Sequence, residues 1–105
     1  MDTAGTATKR SYRCVMVNIT PGNPNGVDLN EVNVSKRRED EVVWDCEADP
    51  NFEVIFDGES PFKQHRFYKG QNHSGPARKD AEEKPYKYTV KAGGETFDPQ
   101  TIVDP

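Results

Sequence analysis

The sequence predicts an all-β protein built as a two-layer sandwich, and three observations support this fold class. The chain has 105 residues, the length of a single small domain. Only 32% of its residues are hydrophobic, and a sandwich uses them efficiently because each strand needs an apolar residue only at every second position. The apolar segments contain mainly valine, isoleucine, threonine and aromatic residues, whereas leucine occurs once, at Leu29. No segment has the 3.6-residue apolar spacing of a helix.

The first third of the chain predicts a tail and two strands. Residues 1–10 are small and polar and indicate a disordered tail, so the single sandwich domain is expected over residues 11–105. A strand is expected at residues 12–19, where both alternating sets contain apolar residues, which predicts burial on both sides of its middle. A loop follows at residues 20–26, then a second strand at residues 27–34 with Val32 and Val34 alternating.

The middle of the chain predicts three further strands. After a charged turn at residues 36–41, a strand is expected at residues 41–46 around Trp44. The alternation of Phe52, Val54 and Phe56 predicts a half-buried strand. A short strand is expected at residues 66–68, followed by the longest loop at residues 70–85, where apolar periodicity is missing.

The last part of the chain carries the clearest strand pattern. Tyr86, Tyr88 and Val90 alternate with polar residues, and Gly93-Gly94 predicts a hairpin turn. The return over residues 95–103 is interrupted by Pro99, so its first half should be an edge strand or irregular. The core is expected to contain Trp44, Phe52, Val54, Phe56, Tyr86, Tyr88, Val90 and Ile102.

Two passages resemble the cupredoxin family. Residues 32–45 (VNVSKRREDEVVWD) resemble its V-x-V strand, turn and V-x-W strand, and residues 84–90 (KPYKYTV) resemble the Y-x-Y/F-x-C strand that leads into the copper loop. The closing TIV at residues 101–103 is similar as well. The resemblance covers roughly residues 32–105 and implies a single Greek-key β-sandwich, cupredoxin-like or immunoglobulin-like, of about seven strands.

The copper ligands of that family do not occur at the matching positions. Asn51 and Phe52 stand nearest to the expected histidine, Val90 stands at the cysteine position, and the following AGGETFDP contains neither histidine nor methionine. A blue-copper centre needs two imidazoles and a thiolate. The resemblance therefore implies the scaffold without the metal, and we expect no cofactor.

Charge is segregated along the chain, although the net charge is only −4. Residues 41–59 hold seven acidic and no basic side chains, whereas residues 62–79 hold five basic and no acidic ones. If these segments lie apart, they favour docking to a charged partner or weak self-association; if they are neighbours, they neutralise each other. The negative net charge argues against nucleic acid as the partner. No apolar run is long enough for a membrane span and no leader pattern is visible, so a cytoplasmic location without membrane contact is expected.

The candidate contact surface is the aromatic and cationic stretch at Lys63, Arg66, Phe67, Tyr68 and Lys69. No nucleophile–base order or phosphate-binding loop accompanies it, so a non-catalytic module that binds another, unidentified protein is expected. The same side chains could stack on nucleic-acid bases and meet phosphates, a use that the net charge disfavours.

Two other functions remain open from the residues. His65, His73 and Cys46 could form a non-standard metal site, although their spacing matches no recognised ligand pattern. Exposed aromatic side chains such as Tyr68 or Phe97 could bind carbohydrate. Cys14 and Cys46 could form a disulfide or remain two buried thiols.

Overall fold

Alternating β-branched and aromatic residues form nine strands within residues 14–105, the part of the chain that the computed structural model describes. This part contains no helix, so none that could cross a membrane, and the all-β prediction is confirmed for it. The predicted tail and the first two residues of the first predicted strand lie outside the described range. The strands are β1 (Cys14–Asn18), β2 (Glu31–Ser35), β3 (Glu41–Asp45), β4 (Glu53–Ile55), β5 (Arg66–Tyr68), β6 (Pro85–Lys87), β7 (Thr89–Ala92), β8 (Glu95–Phe97) and β9 (Gln100–Asp104).

The strands form three sheets. β1 and β3 pair in parallel, with Val17 opposite Trp44. β9 lies between β2, which is parallel to it, and β6, which is antiparallel. The third sheet is antiparallel in the order β5-β4-β7-β8. The register of each strand pair is set by which side chains face the core, because a shift of one residue would turn the inward side chains of a strand outward.

Two predicted strands are each divided in two, which raises the number from about seven to nine. Tyr88 separates β6 from β7, and its N–H donates to the carbonyl of Pro99 at 3.0 Å. Because β6 pairs with β9 and β7 pairs with β4, the chain passes from one sheet to another at Tyr88. Asp98 and Pro99 separate β8 from β9, and β8 is an edge strand, as the proline predicted.

The core is built around Trp44, which is fully buried. Its ring lies 4.8 to 6.4 Å from the rings of Phe56, Phe62, Phe67 and Tyr88, measured between centroids. The indole N–H donates to the Tyr88 hydroxyl at 3.2 Å, and burial raises the pKa of Tyr88 to about 12. The predicted core is confirmed for the following buried residues: Trp44, Phe52, Val54, Phe56, Tyr86, Tyr88 and Val90.

Ile102 was predicted in the core, and this prediction is wrong. On β9 the inward residues are Thr101 and Val103, which lie opposite Val32 and Val34 of β2. Alternation therefore places Ile102 on the outer face, where it is half-buried. The T-I-V sequence offers a branched side chain at every position, so it does not indicate which set faces inward.

The first two strands also differ from expectation. The predicted burial on both sides of the first strand is wrong, because Val17 is buried while Met16 is 49% exposed. The second strand begins at Glu31 rather than at residue 27. Val27 forms only an isolated bridge with Ile19.

The predicted hairpin turn at Gly93-Gly94 is confirmed and joins β7 to β8. Ala92 lies opposite Glu95, and both glycines have positive φ angles, 58° and 78°. A two-residue turn with two positive φ angles follows the twist of the strands and strongly favours glycine. The predicted loop at residues 20–26 is likewise free of strands.

Candidate functional site

The outer face of the four-stranded sheet carries Arg66 and Tyr68, two of the five predicted contact residues. Alternation turns Val54, Phe67 and Val90 into the core, and so their neighbours point outward. The strand register arranges the outward residues in two rows across the sheet. The first row is Tyr68, Glu53, Lys91 and Thr96, and the second is Arg66, Ile55 and Thr89.

Arg66, Tyr68 and Glu53 form one connected cluster on this face. The Arg66 guanidinium forms an ion pair with the Glu53 carboxylate, and its central carbon lies 5.9 Å from the centroid of the Tyr68 ring. Hydrogen bonding from Arg66 lowers the pKa of Glu53, and the same bond raises the pKa of Arg66. Tyr68 is 40% exposed, one of three large apolar side chains exposed among the described residues. An aromatic ring and an arginine are therefore held together at the surface.

Lys63 and Lys69 flank this cluster at the two ends of β5. Both are exposed, and within residues 14–105 neither takes part in an ion pair. Lys69 lies in a tight turn closed by two backbone bonds between Tyr68 and Gln71, at 2.8 and 3.1 Å. Gly70 takes a φ of 91° in this turn. The two ammonium groups are therefore free to meet an anionic group.

Phe67 does not belong to the surface with the other four predicted contact residues. It is fully buried, and its ring packs 4.8 Å from that of Trp44. Its neighbours Arg66 and Tyr68 point outward because β5 alternates. The Phe67 side chain is thus part of the core and is not available to a partner.

The outer face of the three-stranded sheet is different in character. Its polar side chains bond to one another: the Gln100 amide donates to Glu31 at 2.5 Å, and the Asn33 amide donates to Asp104 at 2.9 Å. Lys87 is its exposed cation. This face therefore resembles an ordinary solvated sheet surface, which makes it a useful reference for the four-stranded face.

The acidic segment (residues 41–59) and the basic segment (residues 62–79) are neighbours in the fold. β4 of the acidic segment pairs with β5 of the basic segment, and Arg66 binds Glu53 across that pair. His73 also lies 3.7 Å from Glu41, measured from Nδ1 to Oε1. The structure thus supports partial local neutralisation. Lys63 and Lys69 remain outside the ion pairs of the described residues.

The three residues of the alternative metal site are not brought together. His65 Nδ1 lies 3.4 Å from the carbonyl of Phe56, His73 adjoins β3, and Cys46 is buried in the core. Within residues 14–105 no three histidine, cysteine, aspartate or glutamate side chains have a geometry that could hold a metal ion.

Both cysteines are free thiols, and Cys14 is exposed rather than buried as expected. β1 and β3 are neighbours, but they run in parallel, so Cys14 pairs with Glu41 at one end while Cys46 follows Asp45 at the other. Cys46 lies five residues beyond the strand position opposite Cys14, which separates the two cysteines by about 16 Å along the strand direction. This distance is far beyond the reach of a disulfide. Partial burial, followed by the charge of Glu41, raises the pKa of Cys14, which disfavours a reactive thiolate.

Phe97, an alternative carbohydrate-binding residue, lies against the loop at residues 20–26. It is half-buried, and its ring occupies the space in which Gly26 would otherwise hold a side chain. Only Tyr68 of the two proposed aromatic platforms is presented to solvent.

Among the grooves on the surface of residues 14–105, two have volumes of about 380 and 560 Å³. The smaller groove includes Asp49, whose carboxylate accepts the backbone N–H groups of Asn51 and Gly93, both at 2.8 Å. The larger includes Lys36, whose ammonium donates to the Ala81 carbonyl at 2.8 Å and lies 3.4 Å from Glu83. Asp49 and Lys36 therefore hold loops in place, while Lys91 and Thr96 of the outer face also line the smaller groove.

Among the members of the outer face that sequence reasoning missed are Glu53, Ile55 and Lys91. Alternation around Val54 and Val90 already placed them on outward sides of their strands. What could not be read from the sequence is the register that brings them beside Arg66 and Tyr68.

Comparisons of the chain with family models, curated proteins and solved structures gave no match.

Proposed function

We propose that the protein is a non-catalytic interaction module that binds an acidic segment of another protein. The contact surface is the outer face of the four-stranded sheet, with Lys63, Arg66, Tyr68 and Lys69 at its edge. The observation that carries the proposal is the exposed Tyr68 beside Arg66, flanked by two lysines that form no ion pair within residues 14–105. Tyrosine and arginine are the residue types enriched at the energetic centres of protein interfaces.

Charge favours an acidic polypeptide as the occupant of this face. Arg66 and Lys91 lie in its two rows, in which Glu53 is the one carboxylate. Lys63 and Lys69 lie beside Arg66 and Tyr68, whereas Asp49 and Glu95 lie at the groove next to Lys91. Half-buried Ile55 adjoins this set and gives it an apolar centre. An apolar centre with a charged rim is the common arrangement of a protein interface.

The proposed scaffold is a Greek-key sandwich of cupredoxin-like form without copper. Its support is the pair of parallel strand contacts, β1 with β3 and β2 with β9, in an otherwise antiparallel fold. Each joins strands distant in sequence, as crossover connections between two layers require. Phe52 and Val90 are fully packed core residues at the positions where that family places ligands, which favours packing over metal binding there.

Site-directed photo-crosslinking in a lysate of the source cells tests the contact surface. A benzoylphenylalanine at Gln71, beside Tyr68, should give a discrete adduct, whereas the same group at Lys87 on the other sheet should give none. The crosslinked partner peptide should be rich in aspartate and glutamate.

The matched charge variants decide what the adduct means. Reversing Lys63, Arg66 and Lys69 to glutamate should abolish it, while reversing Arg37, Lys79 and Lys87 should leave it unchanged at the same net charge. Equal adducts from both positions, a neutral or basic partner peptide, or a nucleic-acid adduct would each overturn the proposal.

A further inference from the structure

We infer that Glu53 is a positioning residue for partner binding, because it fixes the Arg66 guanidinium beside the Tyr68 ring; the inference rests on the function proposed above. In the strand register Glu53 lies directly opposite Tyr68, and Ile55 lies opposite Arg66. Glu53 and Arg66 are therefore diagonal neighbours on one face, and their side chains form an ion pair.

The exposure of the two paired side chains indicates which of them supports the other. The Glu53 side chain is 29% exposed, whereas that of Arg66 is 61% exposed. Glu53 also lies between Tyr68 and Lys91 in its row across the sheet. The carboxylate thus sits lower in the face and anchors the more exposed guanidinium.

A held guanidinium is a better ligand for a carboxylate than a free one. An arginine side chain has many rotamers, and fixing them in advance removes a cost that binding would otherwise meet. Glu53 engages one terminal nitrogen, Nη2. Since guanidinium has five N–H donors, the remaining donors stay available for a partner carboxylate. Among the described residues Lys63 and Lys69 pair with no carboxylate, and so they supply charge alone.

For Glu53→Gln, a positioning role and a purely electrostatic role of Glu53 predict opposite changes in affinity. If Glu53 only contributes a negative charge, its removal makes the face more positive and strengthens binding of an acidic peptide. If Glu53 positions Arg66, the substitution releases the guanidinium and weakens binding. The direction of the change therefore separates the two roles.

The test uses a fluorescein-labelled peptide of glutamates and aspartates with one central leucine, measured by fluorescence anisotropy at low salt. Glu53→Gln should weaken binding several-fold. In an Arg66→Ala background, where no guanidinium remains to be held, the same substitution should strengthen binding instead. Glu31→Gln on the three-stranded sheet is the matched control and should leave the affinity nearly unchanged.

Each outcome has a distinct meaning. Tighter binding by Glu53→Gln in the unaltered background overturns the positioning role while leaving the contact surface intact. The same weakening in both backgrounds also overturns it, because the effect would then not act through Arg66. If the unaltered chain does not bind the peptide, the proposed function fails and this inference fails with it.

Discussion

Thr101 is a polar residue at a position that the rest of the core gives to apolar side chains. It lies on the central strand β9, opposite Val32 and Tyr86, and is fully buried. Its hydroxyl has no hydrogen-bond partner among the described residues. A buried hydroxyl without a partner destabilises the folded state, because it loses its hydrogen bonds to water.

Replacing Thr101 by valine should therefore raise the free energy of unfolding by about 1 kcal/mol. The shape of the side chain is nearly kept, and the unsatisfied hydroxyl is removed. Urea unfolding measures the change. Thr96→Val, at an exposed position of β8, is the control and should shift stability little. A loss of stability in Thr101→Val would show that the hydroxyl is satisfied in solution.

The loop at residues 20–26 requires glycine at two positions, Gly26 and Gly22, for different physical reasons. Both have positive φ angles, 71° and 98°. A side chain at Gly26 would begin 2.0 Å from the Phe97 ring, whereas at Gly22 it would meet open space. Gly26 is required both by its positive φ angle and by its contact with the Phe97 ring, whereas Gly22 is required by its positive φ angle alone.

Gly22→Ala should lower the free energy of unfolding by about 1–2 kcal/mol through left-handed backbone strain. Gly26→Ala should lower it further, by about 1–3 kcal/mol more, because the Phe97 ring has to move. Chemical unfolding of both variants gives the comparison. Equal losses would contradict the contact between Phe97 and the loop at residues 20–26.

At the scale of elements, the β7–β8 hairpin is held to a distant loop by one carboxylate. Asp49 accepts the N–H of Gly93 in the hairpin turn and that of Asn51 in its own loop. These two hydrogen bonds lower the pKa of Asp49, and the bond from Gly93 has the larger effect. A carboxyl whose pKa is lowered by folding stabilises the fold above its ordinary pKa, about 3.9 for aspartate.

The contribution of Asp49 should thus be present at neutral pH and be lost as the pH falls below about 4, through the lowered folded-state value. Asp49→Asn should be less stable than the unaltered chain at pH 7. In thermal unfolding scans, the difference in melting temperature between Asp49→Asn and the unaltered chain should disappear as the pH falls across this range. A difference independent of pH would mean that the charge of Asp49 does not hold the hairpin.

The sequence predicts strands well where one face is plainly apolar and fails where this contrast is missing. Phe52, Val54 and Phe56 alternate with polar or half-exposed residues, and the strand lies there. The division at Tyr88 was not visible, because Tyr86, Tyr88 and Val90 keep facing the core while the chain changes sheets.

The candidate site was predictable only in its local part. Arg66, Tyr68 and the nearby lysines stand close together in sequence, so composition alone indicates them. Glu53 and Lys91 join them through strand pairing, which depends on contacts between distant segments.

At the scale of the whole molecule, the two outer sheet faces differ in how their polar side chains are paired. On the three-stranded sheet, polar side chains such as Asn33 and Gln100 bond to neighbours across the strands. On the four-stranded sheet, Tyr68, Arg66 and Lys91 are exposed, in a chain whose net charge is −4. A cationic face on an acidic chain orients an approaching acidic partner, and added salt should weaken that attraction.

The most direct test of this account is a nitrogen-15 NMR titration of the full chain with the acidic peptide. Binding at the proposed surface should give shift changes confined to the outer face of the four-stranded sheet, centred on Glu53, Ile55, Arg66 and Tyr68, with Asn33 and Lys87 unchanged. Changes centred on the three-stranded sheet, or no changes at all, would contradict binding at this face.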